Sequence, residues 1–346
     1  MELRDELRES ILAKLREKLD PLDGFYASDQ IKEAILAVLV SGRHLLLEGP
    51  PGTGKTTLAK ILASHLLPMQ AVAGCRYNCH PESPQCPDCL SQKTGPGTVT
   101  IPGQKRLIRV QGSPELMPED LLGDIDPVVA MQYGIRDPRA FTPGKIQRSH
   151  RKILFIDELN RVPERTQNVL IQILEEKTTT VAGFDMDISV DTLVIATQNP
   201  EEYAGTDRIS ETLGDRFERI RIGYPSAEQE IAILKRYARK FNSVRFDDNL
   251  LPEVVRISQS TRSIEDFSRP ASVRVSIATF EQAQAIAQLQ NRNEVFREDI
   301  EKAARIALQG RTEVSQTSQY YDCPDSLFRL LIQGNGWMRN PEKPTR

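Results

Sequence analysis

A glycine-rich segment near the N-terminus has the side chains needed to bind a polyphosphate. It runs Gly49-Pro-Pro-Gly-Thr-Gly54-Lys55-Thr56 and satisfies the pattern G-x-x-x-x-G-K-[ST]. Glycines let the backbone N–H groups turn inward around phosphates, and the helix that follows presents its positive end. Lys55 would reach the β- and γ-phosphates, and the Thr56 hydroxyl would ligate Mg²⁺. The residues predicted to contact nucleotide are Gly49, Pro50, Pro51, Gly52, Thr53, Gly54, Lys55, Thr56 and Thr57.

A second segment supplies carboxylates. The run Ile153-Leu-Phe-Ile156 is apolar, as expected of a buried parallel strand, and it ends in Asp157-Glu158. This arrangement would place Asp157 beside Mg²⁺, and Glu158 one residue further on, where it can orient and deprotonate water. The second carboxylate favours hydrolysis of the nucleotide over simple nucleotide sensing.

Four of the five cysteines form a local cluster with the spacing Cys75-x3-Cys79-x6-Cys86-x2-Cys89. Two close pairs can fold over one ion, so we predict a structural Zn²⁺ site with four thiolate ligands. The spacing between the pairs is short for a zinc ribbon. An iron–sulfur cluster and metal-free cysteines therefore remain alternatives, and His80 could replace one thiolate.

The elements around these segments indicate an α/β fold with a parallel sheet. A short apolar run at 44–48 precedes the glycine-rich loop, and a helical stretch at 56–67 follows it. Strand, glycine loop and helix together open a nucleotide-binding α/β unit. Further strands are predicted at 153–156 and 193–196, with a helix at 163–177 between them. We expect a P-loop NTPase core.

The spacing of apolar residues changes along the chain, and these changes predict the domain organisation. Apolar residues at four-residue spacing mark an N-terminal amphipathic helix: Leu3, Leu7, Ile11, Leu15 and Leu19. After 224 the pattern becomes helical, and Ser226-Ala-Glu-Gln229 resembles a capping box. The predicted divisions are the N-terminal helix at 1–21, the α/β core at 22–224, an inserted Cys-rich lobe at 68–110, a second insertion at 111–150, a helical domain at 225–310 and a tail of unknown role at 311–346.

Composition narrows the class of protein. Lys plus Arg is 45 and Asp plus Glu is 48 among 346 residues, a net charge of -3 that argues against a protein coating polyanions. With 39% apolar residues, the chain can bury a real core. No apolar run approaches the roughly 18 residues of a membrane span, and no secretory signal is visible. We therefore expect a cytoplasmic protein.

Taken with two further motifs, these segments resemble an AAA+ ATPase. The motifs are Ala196-Thr-Gln-Asn199-Pro200 and Leu213-Gly-Asp-Arg216-Phe217. Within that class, Asp157-Glu158-Leu-Asn-Arg161 is similar to the MoxR and magnesium-chelatase I-subunit branch. The resemblance implies an AAA+ core at 22–224, a helix-2-type insertion at 111–150 and a helical lid at 225–310. It also implies Mg²⁺-dependent hydrolysis of ATP.

The resemblance assigns catalytic roles to three further residues. Asn199 would be sensor 1, a neutral donor that holds the attacking water and the γ-phosphate. Arg216 matches the arginine finger that reaches the nucleotide of a neighbouring subunit, with Arg219 as a nearby alternative. Arg274 matches sensor 2 on the lid, with Arg269 as its alternative. A finger that acts on a neighbour requires an assembly, and the family expectation is a homohexamer.

The resemblance also indicates how the energy of hydrolysis is used. We expect a chaperone-like ATPase that remodels or matures a protein client, with a von Willebrand A domain protein as partner. No protease, nuclease or von Willebrand A segment is visible, so we expect the client chemistry to belong to another polypeptide. The alternatives are the motor subunit of a metal chelatase, a nucleic-acid-translocating motor and a nucleotide-gated scaffold. A basic pore would draw on Lys145, Arg148, His150, Arg151, Lys152, Lys105, Arg106 and Arg109.

Overall fold

The computed structural model describes residues 1–90, 97–135, 137–181, 186–199 and 209–334. The chain divides into two compact units. The first comprises Met1–Gly49 and Gly54–Ile222, and the second comprises Pro50–Thr53 together with the chain from Gly223 onward. The four clustered cysteines belong to the first unit. The residues of the predicted nucleotide-binding loop also belong to it, apart from Pro50–Thr53.

A parallel sheet lies at the centre of the first unit. Its five strands follow the order β11-β1-β10-β7-β4, and every pairing within it is parallel. Short antiparallel pairs, β2 with β3, β5 with β6 and β8 with β9, surround it. The strands are β1 (His44–Glu48), β2 (Met69–Val72), β3 (Thr98–Ile101), β4 (Leu107–Gln111), β5 (Asp124–Ile125), β6 (Phe141–Thr142), β7 (Lys152–Asp157), β8 (Thr178–Val181), β9 (Met186–Ser189), β10 (Thr192–Gln198) and β11 (Phe217–Arg221).

Both faces of the central sheet are buried, which explains why its strands read as continuous apolar runs. Ile153 and Phe155 of β7 pack into one core cluster with the first three helices, while Leu154 and Ile156 pack into the other with α8. The helices of this unit are α1 (Leu3–Arg16), α2 (Asp29–Val40), α3 (Lys55–Ser64), α4 (Pro87–Leu90), α5 (Pro118–Leu122), α6 (Pro127–Tyr133), α7 (Lys145–Arg148), α8 (Glu164–Glu176) and α9 (Glu211–Gly214).

The N-terminal helix is shorter than its pattern predicts. It ends at Arg16, and Leu15 and Leu19 are exposed, whereas Leu3, Leu7 and Ile11 are buried. A strict four-residue repeat drifts by about 40° per step on a helix with 3.6 residues per turn, so the later leucines leave the packed face. Only the first three members of the stripe therefore contribute to the core.

The Cys-rich lobe is also smaller than predicted. Residues 107–110, which the prediction places in the lobe, belong to β4. This strand is an outermost strand of the central sheet, and it pairs with β7. The lobe itself consists of β2, β3 and α4, and its Tyr77 and cysteines share a small core cluster with Phe141 of β6 and Ile188 of β9. The predicted lobe therefore combines a true insertion with one strand of the core.

The second unit is helical, and the four predicted helices are present. Its helices are α10 (Ala227–Tyr237), α11 (Leu251–Ser260), α12 (Val273–Leu289), α13 (Arg297–Gln309) and α14 (Pro324–Gln333), with a small sheet of β12 (Phe267–Arg269) and β13 (Glu313–Val314). The predicted capping box is confirmed, since Ser226 Oγ accepts from Gln229 N and Gln229 Oε1 accepts from Ser226 N.

The boundary predicted at 310 is too early, because α14 belongs to the core of this helical unit. Leu327, Phe328, Leu331 and Ile332 are buried in the same cluster as α10–α13. A buried Arg262–Glu230 ion pair at 2.8 Å joins the end of α11 to α10. Among the described residues, no helix is long and apolar enough to cross a membrane.

Candidate functional site

The glycine-rich loop joins β1 to α3, as its pattern predicts. Gly52 and Gly54 have φ angles of +80° and +89°, a region that side chains rarely adopt. Lys55 is buried, and its Nζ donates to the Gly49 carbonyl oxygen at 2.5 Å. A side chain at Gly49 would clash with the backbone of Ile222, because an added Cβ would lie 2.2 Å from that carbonyl oxygen. Glycine is therefore required at Gly52 and Gly54 by the positive φ angles of the turn, and at Gly49 by the close approach of the Ile222 backbone.

Asp157 lies at the carboxyl end of β7, where three side chains, those of Thr197, Thr56 and Arg109, contact its carboxylate. Its Oδ1 accepts from Thr197 Oγ1 at 2.8 Å, and its Oδ2 lies 3.5 Å from Thr56 Oγ1. Two oxygens that share a Mg²⁺ ion at ideal octahedral geometry lie about 3.0 Å apart, so Thr56 and Asp157 fit the ion in chemistry and spacing. Arg109 Nη2 also contacts Oδ2, at 2.6 Å.

Glu158 has a backbone conformation that is unusual for a residue with a side chain. Its φ is +58° and its ψ is 53°, the left-handed region, which costs roughly 1–2 kcal/mol for a residue other than glycine. Its N–H donates to Thr197 Oγ1 at 2.9 Å, which fixes the turn after β7. Gly112 also permits this turn, because a Cβ there would lie 2.1 Å from the Glu158 carbonyl oxygen.

The side chain of Glu158 is held by donors from three segments. Asn199 Nδ2 donates to its Oε1 at 3.3 Å, while Gln111 Nε2 at 3.3 Å and Arg161 Nη1 at 3.0 Å donate to its Oε2. The structure thus brings the predicted sensor residue Asn199 onto the predicted water-activating carboxylate. The Asn160 amide in turn donates to the Asn199 carbonyl oxygen at 3.2 Å.

Parallel pairing explains why these side chains meet. Gln111 pairs with Asp157, and Glu48 pairs with Gln198, so β4, β7, β10 and β1 all end at one edge of the sheet. Ligand sites of open α/β sheets lie outside the carboxyl ends of their strands. Lys55, Thr56, Asp157, Glu158 and Asn199 therefore come from separate segments to one sheet edge.

Four contacts at this edge were not predicted: those of Thr197, Gln111, Arg161 and Arg109. Thr197 lies inside the recognised Ala196–Asn199 motif, but only the asparagine suggested a role. The contacts of Arg109 and Gln111 were missed because their strand was not predicted: Arg109 was placed in the lobe and Gln111 in the second insertion. The alternation of Arg109 and Gln111 with the apolar Ile108 and Val110 is a two-residue period that could have revealed this strand.

The predicted arginine finger lies on the first unit and is engaged within the chain. Arg216 follows α9, and its guanidinium donates to the Glu175 carboxylate and to the Thr212 carbonyl oxygen. The alternative, Arg219, lies on β11 with its Nη1 3.9 Å from Glu48 Oε2. Among the described residues, neither arginine contacts Asp157 or Glu158.

The predicted sensor 2 residue lies on the second unit. Arg274 is in the first turn of α12, whose N-cap Ser272 accepts from the Arg274 N–H at 3.3 Å. Its alternative, Arg269, ends β12, and both arginines are exposed. Arg269 at the end of β12 and Arg274 at the start of α12 thus both place a positive charge on the surface of this unit.

The four clustered cysteines converge in the lobe. Their sulfur atoms all lie within 4.8 Å of one another, and Cys75 Sγ is 3.7 Å from Cys86 Sγ. Four sulfurs 2.3 Å from a tetrahedral ion lie about 3.8 Å apart, so the cluster fits Zn²⁺. His80 is not part of this group: its Nδ1 accepts from Glu82 N at 3.2 Å.

Backbone donors point at the sulfurs, as expected around thiolates. The N–H groups of Tyr77 and Cys79 donate to Cys75 Sγ at 3.4 and 3.5 Å, and Cys89 N donates to Cys86 Sγ at 3.4 Å. Hydrogen bonds from Cys79 and Cys86 lower the pKa of Cys75 to about 2. The hydrogen bond with Cys75 raises the pKa of Cys86.

The basic residues named as pore candidates are not equivalent. Arg106 is buried and makes a two-pronged ion pair with Glu6, at 2.6 and 2.8 Å, which joins α1 to the start of β4. Arg109 is bound to Asp157. Arg106 is therefore not available as a solvated pore residue, since a buried guanidinium needs its partner, whereas the half-exposed Arg109 contacts the sheet edge.

Comparison with known proteins agrees with this geometry. Residues 98–219 match the ATPase family associated with various cellular activities, residues 260–320 match the AAA lid domain, and residues 25–75 match magnesium chelatase, subunit ChlI. The protein YeaC of Bacillus subtilis is 30% identical over 299 residues, which cover 80% of this chain and 79% of YeaC.

Two more comparisons cover different shares of the chain. The chaperone MoxR1 of Mycobacterium tuberculosis is 28% identical over 222 residues, covering 60% of this chain and 44% of that protein. A solved structure of a Thermotoga maritima RuvB mutant has a TM-score of 0.50 and 19% identity. It covers 82% of this chain and 72% of that chain, and this likeness shows the fold alone.

The fold, the sheet-edge site and these matches define a P-loop ATPase of the AAA+ class with a helical lid. Within that class the chain belongs to the branch that includes the MoxR chaperone and the ChlI subunits of magnesium chelatase. Hydrolysis of ATP with Mg²⁺ follows from this membership.

Proposed function

We propose that this protein is a ring-forming ATPase that couples ATP hydrolysis to the remodelling or maturation of a protein client. The observation that carries the proposal is that two carboxylates at the sheet edge have different surroundings, one suited to a metal ion and one suited to a water molecule. Asp157 faces Thr56 in the first turn of α3, while the Glu158 carboxylate is held separately by Asn199, Arg161 and Gln111. A site with a second, independently oriented carboxylate is built for hydrolysis.

The side chains have distinct roles in this proposal. Lys55 and the N–H groups of the loop bind and orient the phosphates of ATP. Thr56 and Asp157 hold Mg²⁺, which when bound offsets the charge that develops on the phosphate oxygens. Glu158 orients the attacking water and accepts its proton, and Asn199 keeps the carboxylate in place through its amide donor.

The catalytic arginine is proposed to come from a neighbouring subunit. Arg216 contacts Glu175 and Thr212 of its own chain, so within one subunit it is positioned by the surface of α8 and α9. In a closed ring the same surface would face the nucleotide of the next subunit, which agrees with the expected hexamer. For Arg274, on the lid, we keep the sensor 2 role that the resemblance implies.

A mixing experiment tests the finger. Arg216→Ala and Glu158→Gln subunits should each hydrolyse ATP roughly 1000-fold more slowly than wild type. Mixed rings should recover activity, because an intact Glu158 site in one subunit receives Arg216 from the other. Arg219→Ala serves as the matched control and should stay near wild type. Mixtures that remain inactive, while size-exclusion chromatography shows mixed assemblies, would rule out a finger supplied by the neighbour.

The proposed partner is a protein with a von Willebrand A domain. Support comes from the match to a named chaperone of the MoxR group. Glu158→Gln protein loaded with ATP and Mg²⁺ should retain such a partner from native lysate, and Lys55→Ala protein should not. Recovery of nuclease-sensitive nucleic acid by the Glu158→Gln protein alone would favour a nucleic-acid motor instead.

A chelatase motor is the second candidate, favoured by the match of residues 25–75 to the ChlI subunit of magnesium chelatase. The test is to combine the protein with the remaining chelatase subunits, Mg²⁺, ATP and protoporphyrin. Insertion of the metal, followed by the change in porphyrin fluorescence, would establish this version. Activity that needs the client protein but no tetrapyrrole would exclude it.

We also propose that the cysteine cluster holds one structural Zn²⁺. The four sulfur atoms lie within 4.8 Å of one another, and backbone N–H groups already point toward Cys75 and Cys86. The small core of the lobe, built around Tyr77 and Phe141, gains an internal cross-link from such an ion. This site supports the fold of the lobe and takes no part in hydrolysis.

A further inference from the structure

A cationic side chain covers the oxygen of Asp157 that faces Thr56. Arg109 Nη2 lies 2.6 Å from Asp157 Oδ2, the oxygen that is 3.5 Å from Thr56 Oγ1. The other oxygen, Oδ1, is already used by Thr197 Oγ1 at 2.8 Å. Both carboxylate oxygens therefore have protein partners, and the one suited to a metal ion carries a guanidinium.

We propose that Arg109 is a positioning residue that competes with Mg²⁺ for Asp157 and must leave Oδ2 before the metal binds. The inference rests on the proposed role of Asp157 as a metal ligand. A guanidinium and a divalent cation repel each other, and the 2.6 Å contact already occupies one of the two lone pairs of Oδ2, so the two cations compete for this oxygen. Metal binding therefore includes the cost of breaking this ion pair.

The structure makes this exchange feasible. The Arg109 side chain is 53% exposed, whereas that of Asp157 is 15% exposed, so the arginine can return to water while the carboxylate keeps its position. Exposed ion pairs contribute little free energy, which keeps the competition reversible. Arg109 Nη2 also contacts Gln111 Oε1 at 3.1 Å, a neutral partner on the same strand.

The second carboxylate provides an internal comparison. Arg161 Nη1 lies 3.0 Å from Glu158 Oε2 and is 43% exposed, so it resembles Arg109 in charge and solvation. It contacts the carboxylate assigned to water rather than the one assigned to metal. Removing Arg161 therefore changes the charge of the sheet edge without uncovering Asp157.

Mn²⁺ binding, followed by electron paramagnetic resonance, tests the competition without relying on turnover. The full-length protein is saturated with a non-hydrolysable ATP analogue, and free Mn²⁺ is measured during a titration. Arg109→Gln should bind Mn²⁺ about three- to tenfold more tightly than wild type. Arg109→Lys, which keeps a charge near Asp157, should lie close to wild type, and the control Arg161→Gln should change the affinity by less than about twofold.

The variants separate failure of the inference from failure of the site assignment. Asp157→Asn should weaken Mn²⁺ binding by at least about tenfold, and unchanged binding would remove Asp157 from the metal site. If Asp157→Asn weakens binding but Arg109→Gln does not tighten it, the competition is wrong and the site assignment stands. Equal tightening in Arg109→Gln and Arg161→Gln would also overturn the competition, because it would reflect net charge alone.

Discussion

The sheet edge brings two carboxylates close together, and the cysteine lobe brings four thiols close together, but the two regions do so in different ways. At the sheet edge, the carboxylates of Asp157 and Glu158 have separate hydrogen-bond partners, and both are positioned by strands buried in two large core clusters. In the lobe, four sulfurs face one another in a small core cluster that also includes Phe141 of β6 and Ile188 of β9. The first arrangement is fixed by the fold, whereas the second, in our proposal, depends on a shared ion.

The difference predicts that the two regions fail independently. Loss of a side chain at the sheet edge should alter nucleotide chemistry and leave the fold intact. Loss of a sulfur should open the lobe and leave nucleotide binding intact, because β4, β7 and β10 are held by parallel pairing with one another. Three changes test this separation.

The largest expected effect comes from Lys55→Ala. Removal of the buried ammonium should weaken ATP binding by about 100-fold or more, because it deletes charge-assisted contacts to two phosphates. Titration with a fluorescent ATP analogue measures this loss. The zinc content should remain about one ion per chain, and ATP affinity equal to wild type would refute the role of the loop.

The paired substitution Cys86→Ser/Cys89→Ser should remove the metal from the lobe. Zinc measured by inductively coupled plasma mass spectrometry should fall from about one per chain to near zero, because two of four ligands are lost. ATP affinity should stay within about twofold of wild type. Cys323→Ser, at an exposed cysteine outside the cluster, is the matched control. Zinc retained by the double variant would contradict the site.

A smaller effect, on the pH dependence of stability, should come from His44 at the start of β1. Burial, with a lesser effect of the Arg4 charge, lowers the pKa of His44 to about 3, and its Nδ1 accepts from Val194 N at 3.0 Å. The unfolded chain, with a pKa near 6.5, binds the proton more tightly. Stability should therefore be lost as pH falls from about 6.5 toward 3, by up to roughly 1.4 kcal/mol per pH unit.

Chemical unfolding of wild type and His44→Gln between pH 7 and pH 5 isolates this contribution. The glutamine amide preserves an acceptor but does not titrate, so the variant should show a shallower loss of stability. Identical slopes in the two proteins would show that His44 is not protonated on unfolding. The same experiment reports on the sheet rather than the lobe, because His44 packs beside Phe217 on β11.

The sequence revealed most of the sheet edge because spacing along the chain reflects the fold there. A glycine loop after a strand and a carboxylate pair after a second strand are local patterns, and Lys55, Asp157 and Glu158 follow from them. Arg109 and Gln111 could not be found in this way, since their roles depend on which strand lies beside β7. The cysteine spacing predicted a cluster, but only the structure shows that His80 lies outside it.

The direct test of the central claim is the behaviour of Glu158→Gln. This variant loses the proton acceptor but keeps Lys55, Thr56 and Asp157, so its affinity for ATP should stay within a few-fold of wild type. Its single-turnover rate of hydrolysis should fall by roughly 1000-fold. A rate within tenfold of wild type, or a parallel loss of ATP binding, would contradict the separation of metal binding and water activation between Asp157 and Glu158.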